Sequence, residues 1–449
     1  MRLPQTPPDP FQTLQSLSQT EVASLFQNGS PLPLGRYLHW DELRRRPSPD
    51  GLTHEKWWAR IFFARSPLMQ DLPLLDKYGR PFRFATPNPV LIDLHHIDRD
   101  AAGQIRTPTD SPIQEDSRYL LNSLIEEAIT SSQLEGASTT RKVAAAMLRE
   151  GRKPRDHSET MIFNNYRAME HLRSIKTTSL TPDLILELHY ILTENTLEDP
   201  ADAGRLRKAD DVRVVDGRDH TVLHEPPSYK ELPERLERIC AFANADETSL
   251  PFVHPVLRAV LIHFMIGYDH PFADGNGRTA RALFYWSVVR SGYWLMEYTS
   301  ISHILRKAPA RYMRAYLHTE TDKNDTTYFL LHQLGTIRKA IVALHEYLAK
   351  KARDQRETER LLSSSSKLRT RFNHRQVALL THALKNQGEG YRVDAHQRSH
   401  NVVYQTARND LLDLHALGLL ERQKQGNAYV FFAPIDLRER LVALSEKTV

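Results

Sequence analysis

The sequence predicts a mainly helical protein, with one β-hairpin set inside its helical part and a winged helix-turn-helix at its C-terminal end. Three observations carry this. From Pro112 onward apolar residues recur at helical spacing, as in Leu121, Ile125 and Ile129 with Leu120, Leu124 and Ala128 beside them. Val212–Val215, an Asp216-Gly217 pair and His220–Leu223 read as two short strands around a turn. Two amphipathic stretches, His374–Lys385 and Asn401–Leu417, precede a compact hairpin over Leu420–Phe432.

The 449 residues allow two or three domains. We divide them into an N-terminal region (1–111), a helical core (112–335), a helix and linker (336–366) and the winged helix (367–449). Residues 1–35 are rich in Pro, Gln and Ser, with one short helix expected over Phe11–Phe26. Trp40, Trp57 and Trp58 are packing anchors, and Gly79-Arg80-Pro81 and Pro87-Asn88-Pro89 mark turns. Asp116 or Ser117 caps the helix that runs to Gly136. Further helices are expected over Lys142–Arg149, Thr160–Ser174, Pro182–Thr193, Tyr229–Ala243, Pro255–Tyr268, Arg278–Val289 and Leu330–Arg360. Ser363–Ser366 reads as a linker.

Composition excludes several classes. No run of about 18 apolar residues exists, so no membrane span is expected. The first residues lack the apolar stretch of a secretory signal. Cys240 is the only cysteine, which rules out an internal disulfide and a thiolate zinc cage. A reducing cytoplasm is the expected location. The formal charge of +5 says little unless the charges cluster.

Chemistry concentrates in His270-Pro271-Phe272-Ala273-Asp274-Gly275-Asn276-Gly277-Arg278-Thr279-Ala280-Arg281. The helix before it carries an apolar stripe of Leu257, Val260, Leu261, Phe264 and Tyr268, and Pro271 stops it. Gly275 and Gly277 permit positive φ and close approach of backbone to a ligand. A second helix begins near Asn276–Arg278, and its free N–H groups favour an anion. Arg278 and Arg281, three apart, share a helical face and suit a polyphosphate. Asp274 is placed to hold a Mg²⁺ that phosphates also bind. His270 then serves as a base for an incoming hydroxyl.

These twelve residues resemble the Fic family motif, H-P-F-x-(D/E)-G-N-G-R-x-x-R, at every defined position, and the similarity extends over about residues 112–335. The resemblance implies a helical core with a β-hairpin flap. It also implies transfer of AMP from ATP to a Ser, Thr or Tyr hydroxyl of a target protein, or of the chain itself. His270 would be the general base and Asp274 the Mg²⁺ ligand. Gly275, Asn276 and Gly277 would hold phosphates, with Arg278 and Arg281 on the β- and γ-phosphates. Ser131-Ser132-Gln133-Leu134-Glu135-Gly136 resembles the family's inhibitory (S/T)-x-x-x-E-(G/N) pattern, carried on a helix over 117–135. Ser131 and Glu135 lie one turn apart, and Glu135 would pair with Arg281 and divert it from the γ-phosphate. The hairpin, through Val212, Val214 and Val222, occupies the flap position and would dock a target strand. Gly204-Arg205-Leu206-Arg207 resembles the family's approach to the flap, in a structural or substrate-positioning role. Tyr312 and Tyr328 read as core.

The C-terminal module is rich in Arg, with Arg371, Arg375, Arg392, Arg398 and Arg408 among its cations. Val402–Leu417 is the candidate recognition helix, presenting Gln405, Thr406, Arg408 and Asn409, and Gln423–Asn427 is the wing tip. DNA and protein docking both remain open for it, as does a homodimer. Two rival functions also stand: removal of AMP from a modified protein at the same site, and a DNA-binding regulator with a catalytic-type sensor core.

Overall fold

The structure is a computed structural model that describes residues 2–27, 29–49, 51–102, 117–363, 371–385, 389–425 and 428–446. Asp116, part of the Ser363–Ser366 linker and the end of the wing tip lie outside the described residues. Two compact units result, residues 1–344 and 345–449.

In the first unit the helix expected over Phe11–Phe26 is two, Pro10–Gln15 and Gln19–Gln27. Ser18 separates them: its backbone N–H donates to Glu21 at 2.9 Å, and the Glu21 N–H reaches back to its hydroxyl at 3.4 Å. This reciprocal pair starts a fresh helix. Trp40, Trp57 and Trp58 pack with Leu38, Leu43 and Ile61. The Gly79-Arg80-Pro81 turn belongs to a hairpin that sequence reading missed, Gln70–Leu75 against Pro81–Phe84. Pro73 and Pro81 mask its strand signal. Pro87-Asn88-Pro89 opens the helix Asn88–Ile97, with proline in the first turn, where its missing N–H costs nothing.

Residues 1–111 and the helical core share this unit. Tyr37 donates to Asp325 at 2.6 Å, and the buried Arg65 donates to Tyr328 at 2.9 Å and to the Leu38 carbonyl at 3.1 Å.

The core helices are Ser117–Leu134, Arg141–Glu150, His157–Ser174, Pro182–Thr193, Leu232–Asn244, Pro255–Asp269, Asn276–Arg290, Ile301–Lys307, Pro309–Thr321 and Thr327–Ser363. Pro255–Asp269 does not merely present a stripe. Val256 to Ile266 are all buried, which makes it the central helix, packed most extensively against Asn276–Arg290. The Ser117–Leu134 helix is pinned by a buried carboxylate. Glu127 accepts from Tyr285 at 2.9 Å, from the Ser300 hydroxyl at 2.8 Å, and from both the backbone and the hydroxyl of Ser302. Its oxygens are thus met by hydrogen bonds, as a buried polar group requires.

The inserted hairpin pairs Val214–Val215 with Val222–His224. Val212 lies outside the strands, a correction to the expected flap. The connection is also longer than an Asp-Gly turn. The Asp216 N–H donates to the Thr221 carbonyl at 2.9 Å, and the Asp216 carboxylate accepts the Arg218 N–H at 3.1 Å.

The second unit contains helices His374–Lys385, Val393–His400, Tyr404–Ala416 and Leu437–Glu446. Its sheet has Ala428–Phe432 between Gly390–Tyr391 and Glu421–Gln425. The single helix expected over Asn401–Leu417 begins only at Tyr404. Asn401, at φ +50°, closes the preceding helix in the left-handed conformation that asparagine tolerates. Val393–His400, too short and polar for a clear pattern, supplies the other half of the helix-turn-helix.

Candidate active site

The central helix delivers His270, whose N–H closes the last turn on Ile266 at 3.1 Å. Its backbone sits in the left-handed region at φ +45°, a costly conformation for a side-chain-bearing residue. Phe272 is fully buried and stacks on the His189 ring at 3.7 Å. Asn276 closes the loop: its side chain accepts from the Phe272 N–H at 3.0 Å and donates to the Phe272 carbonyl at 2.9 Å. The side chain thus shapes the loop. What remains for a ligand is the backbone N–H at the start of the Asn276–Arg290 helix.

His189 holds the loop from the other side. The Gly204 N–H donates to its Nδ1 at 3.0 Å, so its Nε2 carries the proton and donates to the Asp274 carbonyl at 2.8 Å. Burial pushes its pKa down to about 4, which keeps this neutral tautomer. Gly275 fits between. It has φ +84°, and a Cβ there would lie 2.6 Å from the Thr193 methyl and 3.1 Å from His189 Nε2. Gly275→Ala is expected to cost about 1–3 kcal/mol from the backbone conformation alone. Thermal unfolding checks this; an unchanged midpoint contradicts it.

The His270 ring has the arrangement a base needs. Its Nδ1–H donates to the Gly267 carbonyl at 3.1 Å, which leaves the Nε2 lone pair free. Removal from water lowers its pKa below the ordinary 6.5. The Gly267 bond and the Glu135 carboxylate oppose this, and the neighbouring His224 and Arg207 add to it.

The two arginines do different things. Arg281 is 2% exposed and lines the cavity. Its Nε donates to the Ser131 hydroxyl at 2.9 Å, and its Nη2 to the Ser131 carbonyl at 3.1 Å and to Glu135 Oε1 at 2.9 Å. Burial works against its charge, but the Glu135 carboxylate, with Tyr312 and Glu127 beside it, offsets this and raises its pKa. Glu135 itself is 27% exposed and sits in the turn just past Leu134, with Gly136 following at φ +96°. Its carboxylate packs so closely on Gly277 that a Cβ at 277 would collide with it. Arg278, fully buried, reaches the Leu192 carbonyl at 2.9 Å and lies 3.5 Å from Asp274. Its Nε and Nη2 have no hydrogen-bond partner among the described residues, and burial lowers its pKa. Nη2 has only the Asp274 carboxylate at ion-pair distance, so a bound anion would satisfy donors that the described residues leave without a hydrogen bond.

Beside these groups lies a cavity of about 190 Å³, lined by Glu135, His270, Asp274, Gly277, Arg281 and Tyr312 among others, with Arg278 and His189 outside its lining. That is below the roughly 300–1,000 Å³ usual for small-molecule sites, and the Glu135 carboxylate occupies part of the space. Val214 and Leu223 of the hairpin also face it, whereas Val222 is exposed. Asp274, 63% exposed, is a suitable oxygen ligand. No group of three or more His, Cys, Asp or Glu among the described residues could hold a metal by itself. That donor set fits Mg²⁺, which binds through one or two carboxylates together with substrate phosphates.

Sequence reading missed His189, Glu127, His224 and Glu320; Tyr312, expected in the core, packs against it and also lines the cavity. His189 and Glu127 lie on apolar-patterned helices far from the motif, where a polar residue carries no local signal.

Residues 179–288 match the family model described as the Fic/DOC family. Protein adenylyltransferase fic-1 of Caenorhabditis elegans is 32% identical over 170 residues, 37% of this chain and 31% of that protein. Protein adenylyltransferase Fic of Nematostella vectensis is 27% identical over 184 residues, 39% of this chain and 40% of that protein. The chain thus spans about a third of the length of these curated relatives. A Fic family protein from Desulfovibrio desulfuricans aligns in structure with a TM-score of 0.48 at 17% identity, covering 78% of this chain and 97% of that one. No helix among the described residues is long and apolar enough to cross a membrane.

Proposed function

From the premise that this chain carries a domain of the Fic/DOC family, we propose that it is a self-inhibited protein adenylyltransferase. It moves AMP from ATP to a hydroxyl of a protein, with Glu135 holding it back. One observation carries the reading. The free Nε2 side of a neutral His270, the amide-rich start of a helix and a cationic Arg281 share one cavity, and a carboxylate on Arg281 closes it. His270 Nε2 takes the proton of the acceptor hydroxyl. The hydroxyl oxygen bonds to the α-phosphorus and pyrophosphate leaves with the bonding pair. The backbone N–H groups from Gly275 to Gly277 and the Arg278 and Arg281 guanidiniums receive the phosphate charge. Asp274 would hold Mg²⁺, which neutralises phosphate charge when bound.

The test is intact-mass analysis of Glu135→Gly after incubation with Mg²⁺ and each nucleoside triphosphate. One added adenylyl mass with ATP, absent in Glu135→Gly/His270→Ala, supports the reading. No adduct on the chain and no AMP released with any nucleotide would overturn it.

The C-terminal unit supports a second, separable reading as a DNA-binding module. In the first two turns of Tyr404–Ala416 the acid, Asp410, is turned inward and held by Arg375 at 2.7 Å and Asn373 at 2.8 Å. The outer face then presents Tyr404, Gln405, Arg408 and Asn409 without a negative charge. The whole chain is expected to retard a duplex in a salt-dependent manner, and Arg408→Ala to weaken this by about 1–3 kcal/mol if it contacts a base. Binding unaffected by salt or by Arg408→Ala would remove this reading.

A further inference from the structure

Arg207 lies on the chain just before the hairpin, and its side chain is almost completely buried. Three separate strands of chain meet on its guanidinium. Nε donates to the carbonyl of His270 itself at 3.0 Å. Nη1 donates to the Ala209 carbonyl at 2.8 Å and to Asp210 Oδ1 at 2.9 Å, on the ascending side of the hairpin. Nη2 donates to the Pro227 carbonyl, on the descending side. The Arg207 backbone N–H adds a bond to the Pro271 carbonyl at 2.9 Å. Asp210 ties the two sides again, accepting from the Ser228 hydroxyl at 2.9 Å and the Tyr229 N–H at 2.6 Å.

The hairpin needs such a neck. Its strands are two and three residues long, and a two-stranded ribbon of this size is not stable by itself. A second pin lies at the end of the second strand. His224 Nδ1 faces Glu320 at 2.7 Å, and its Nε2 faces the Tyr268 carbonyl at 2.7 Å, two residues before the base. Both pins therefore land on the backbone that carries His270. The planar fork of arginine suits this role, since it holds several carbonyls in a fixed geometry that the lysine ammonium cannot reproduce.

We propose that Arg207 is a positioning residue that joins the hairpin neck to the carbonyl of the catalytic base. A protein segment laid along the hairpin is thereby held in register with His270 Nε2, and Asp210 is the second knot of the same neck. This rests on the adenylyl-transfer reading above. It goes beyond that reading by assigning acceptor alignment to residues that need not touch nucleotide or acceptor.

Water competes with a protein hydroxyl for the same phosphorus without needing the hairpin, so the ratio of the two products isolates the role. The experiment places Asp210→Asn, Arg207→Lys and Arg207→Met in the whole Glu135→Gly chain. It measures self-modification, AMP released into water, amide exchange at Val214–Val215 and Val222–His224, and thermal unfolding. Asp210→Asn is expected to speed exchange and to lower self-modification about ten- to a hundred-fold while AMP release continues, since misplacement by about 1 Å can cost 10²-fold. Arg207→Met is expected to slow both products, because the His270 carbonyl also loses its partner, and Arg207→Lys is expected to restore neither. The proposal is overturned if folded Arg207→Met keeps the exchange rates and product ratio of Glu135→Gly. If Arg207→Met does not fold, unchanged exchange and product ratio in Asp210→Asn overturn it. Should Glu135→Gly yield neither product, the activity reading is what has failed, and the exchange rates still decide whether Arg207 and Asp210 hold the neck.

Discussion

Glu135→Gly is expected to raise adenylyl transfer about 30- to 150-fold. The pair with Arg281 is sheltered on the arginine side and partly open on the glutamate side. Removing one partner of a fully buried pair costs about 3–5 kcal/mol, and exposed pairs are worth about 0–1 kcal/mol. We place this pair at about 2–3 kcal/mol, and each 1.4 kcal/mol is a factor of ten. The substitution has a second, opposite consequence. Without nucleotide the buried Arg281 loses its only carboxylate contact among the described residues, so Glu135→Gly should unfold at a lower temperature than the parent chain. Added ATP and Mg²⁺ should recover more of that loss in the variant than in the parent. A variant that is more active yet equally stable without nucleotide would show that Glu135 acts by occupying space and not by pairing.

The largest loss is expected for His270→Ala, about 10²–10⁴-fold in transfer, the usual worth of a placed general base. The pH profile gives a finer check. A base must be neutral, and burial favours the neutral ring. The acid limb of kcat/KM, which reports the free enzyme, should therefore lie below pH 6.5. The same shift bears on stability. A histidine whose pKa is lower folded than unfolded contributes stability above its unfolded value, and that contribution is lost as pH falls through the window below 6.5. His189, pushed to about 4, acts in the same direction. An acid limb above pH 6.5 would mean that the ring is more solvated, or nearer to a negative charge, than its hydrogen bonds indicate.

The helix–turn–helix path of the candidate catalytic stretch was readable because its information is local. Pro271 ends one helix, Gly275 permits the turn, and the next helix starts at the very next residue, Asn276; such features depend on near neighbours alone. The same holds for the helices Pro182–Thr193 and His157–Ser174, close to their expected bounds. What escaped reading depends on distant contacts. Asn276 looks like a ligand for phosphate in one dimension, and only the fold shows that Phe272 takes both ends of its amide. Arg278 and Arg281 share a helical face by spacing, yet meet different surroundings because Ser131 and Glu135 approach one and Leu192 the other. In the C-terminal unit, Asn401 was absorbed into a helix because left-handed backbone leaves no mark on hydrophobic periodicity.

The buried Glu127 sets the amplitude of any switching. Because it fastens the middle of the Ser117–Leu134 helix to Tyr285, Ser300 and Ser302, withdrawing that helix would leave a carboxyl group and several donors without partners together. The cheaper motion is a swing of Glu135 alone, out of a turn that already lies beyond the helix end. Such a swing needs no unfolding, and a gap of about 2–3 kcal/mol leaves roughly 1% of molecules open at any moment. On the self-inhibited reading proposed above, the resting protein would leak at a level set by Boltzmann statistics. A partner that stabilises the open rotamer by only a few kcal/mol would turn the trickle into full flow.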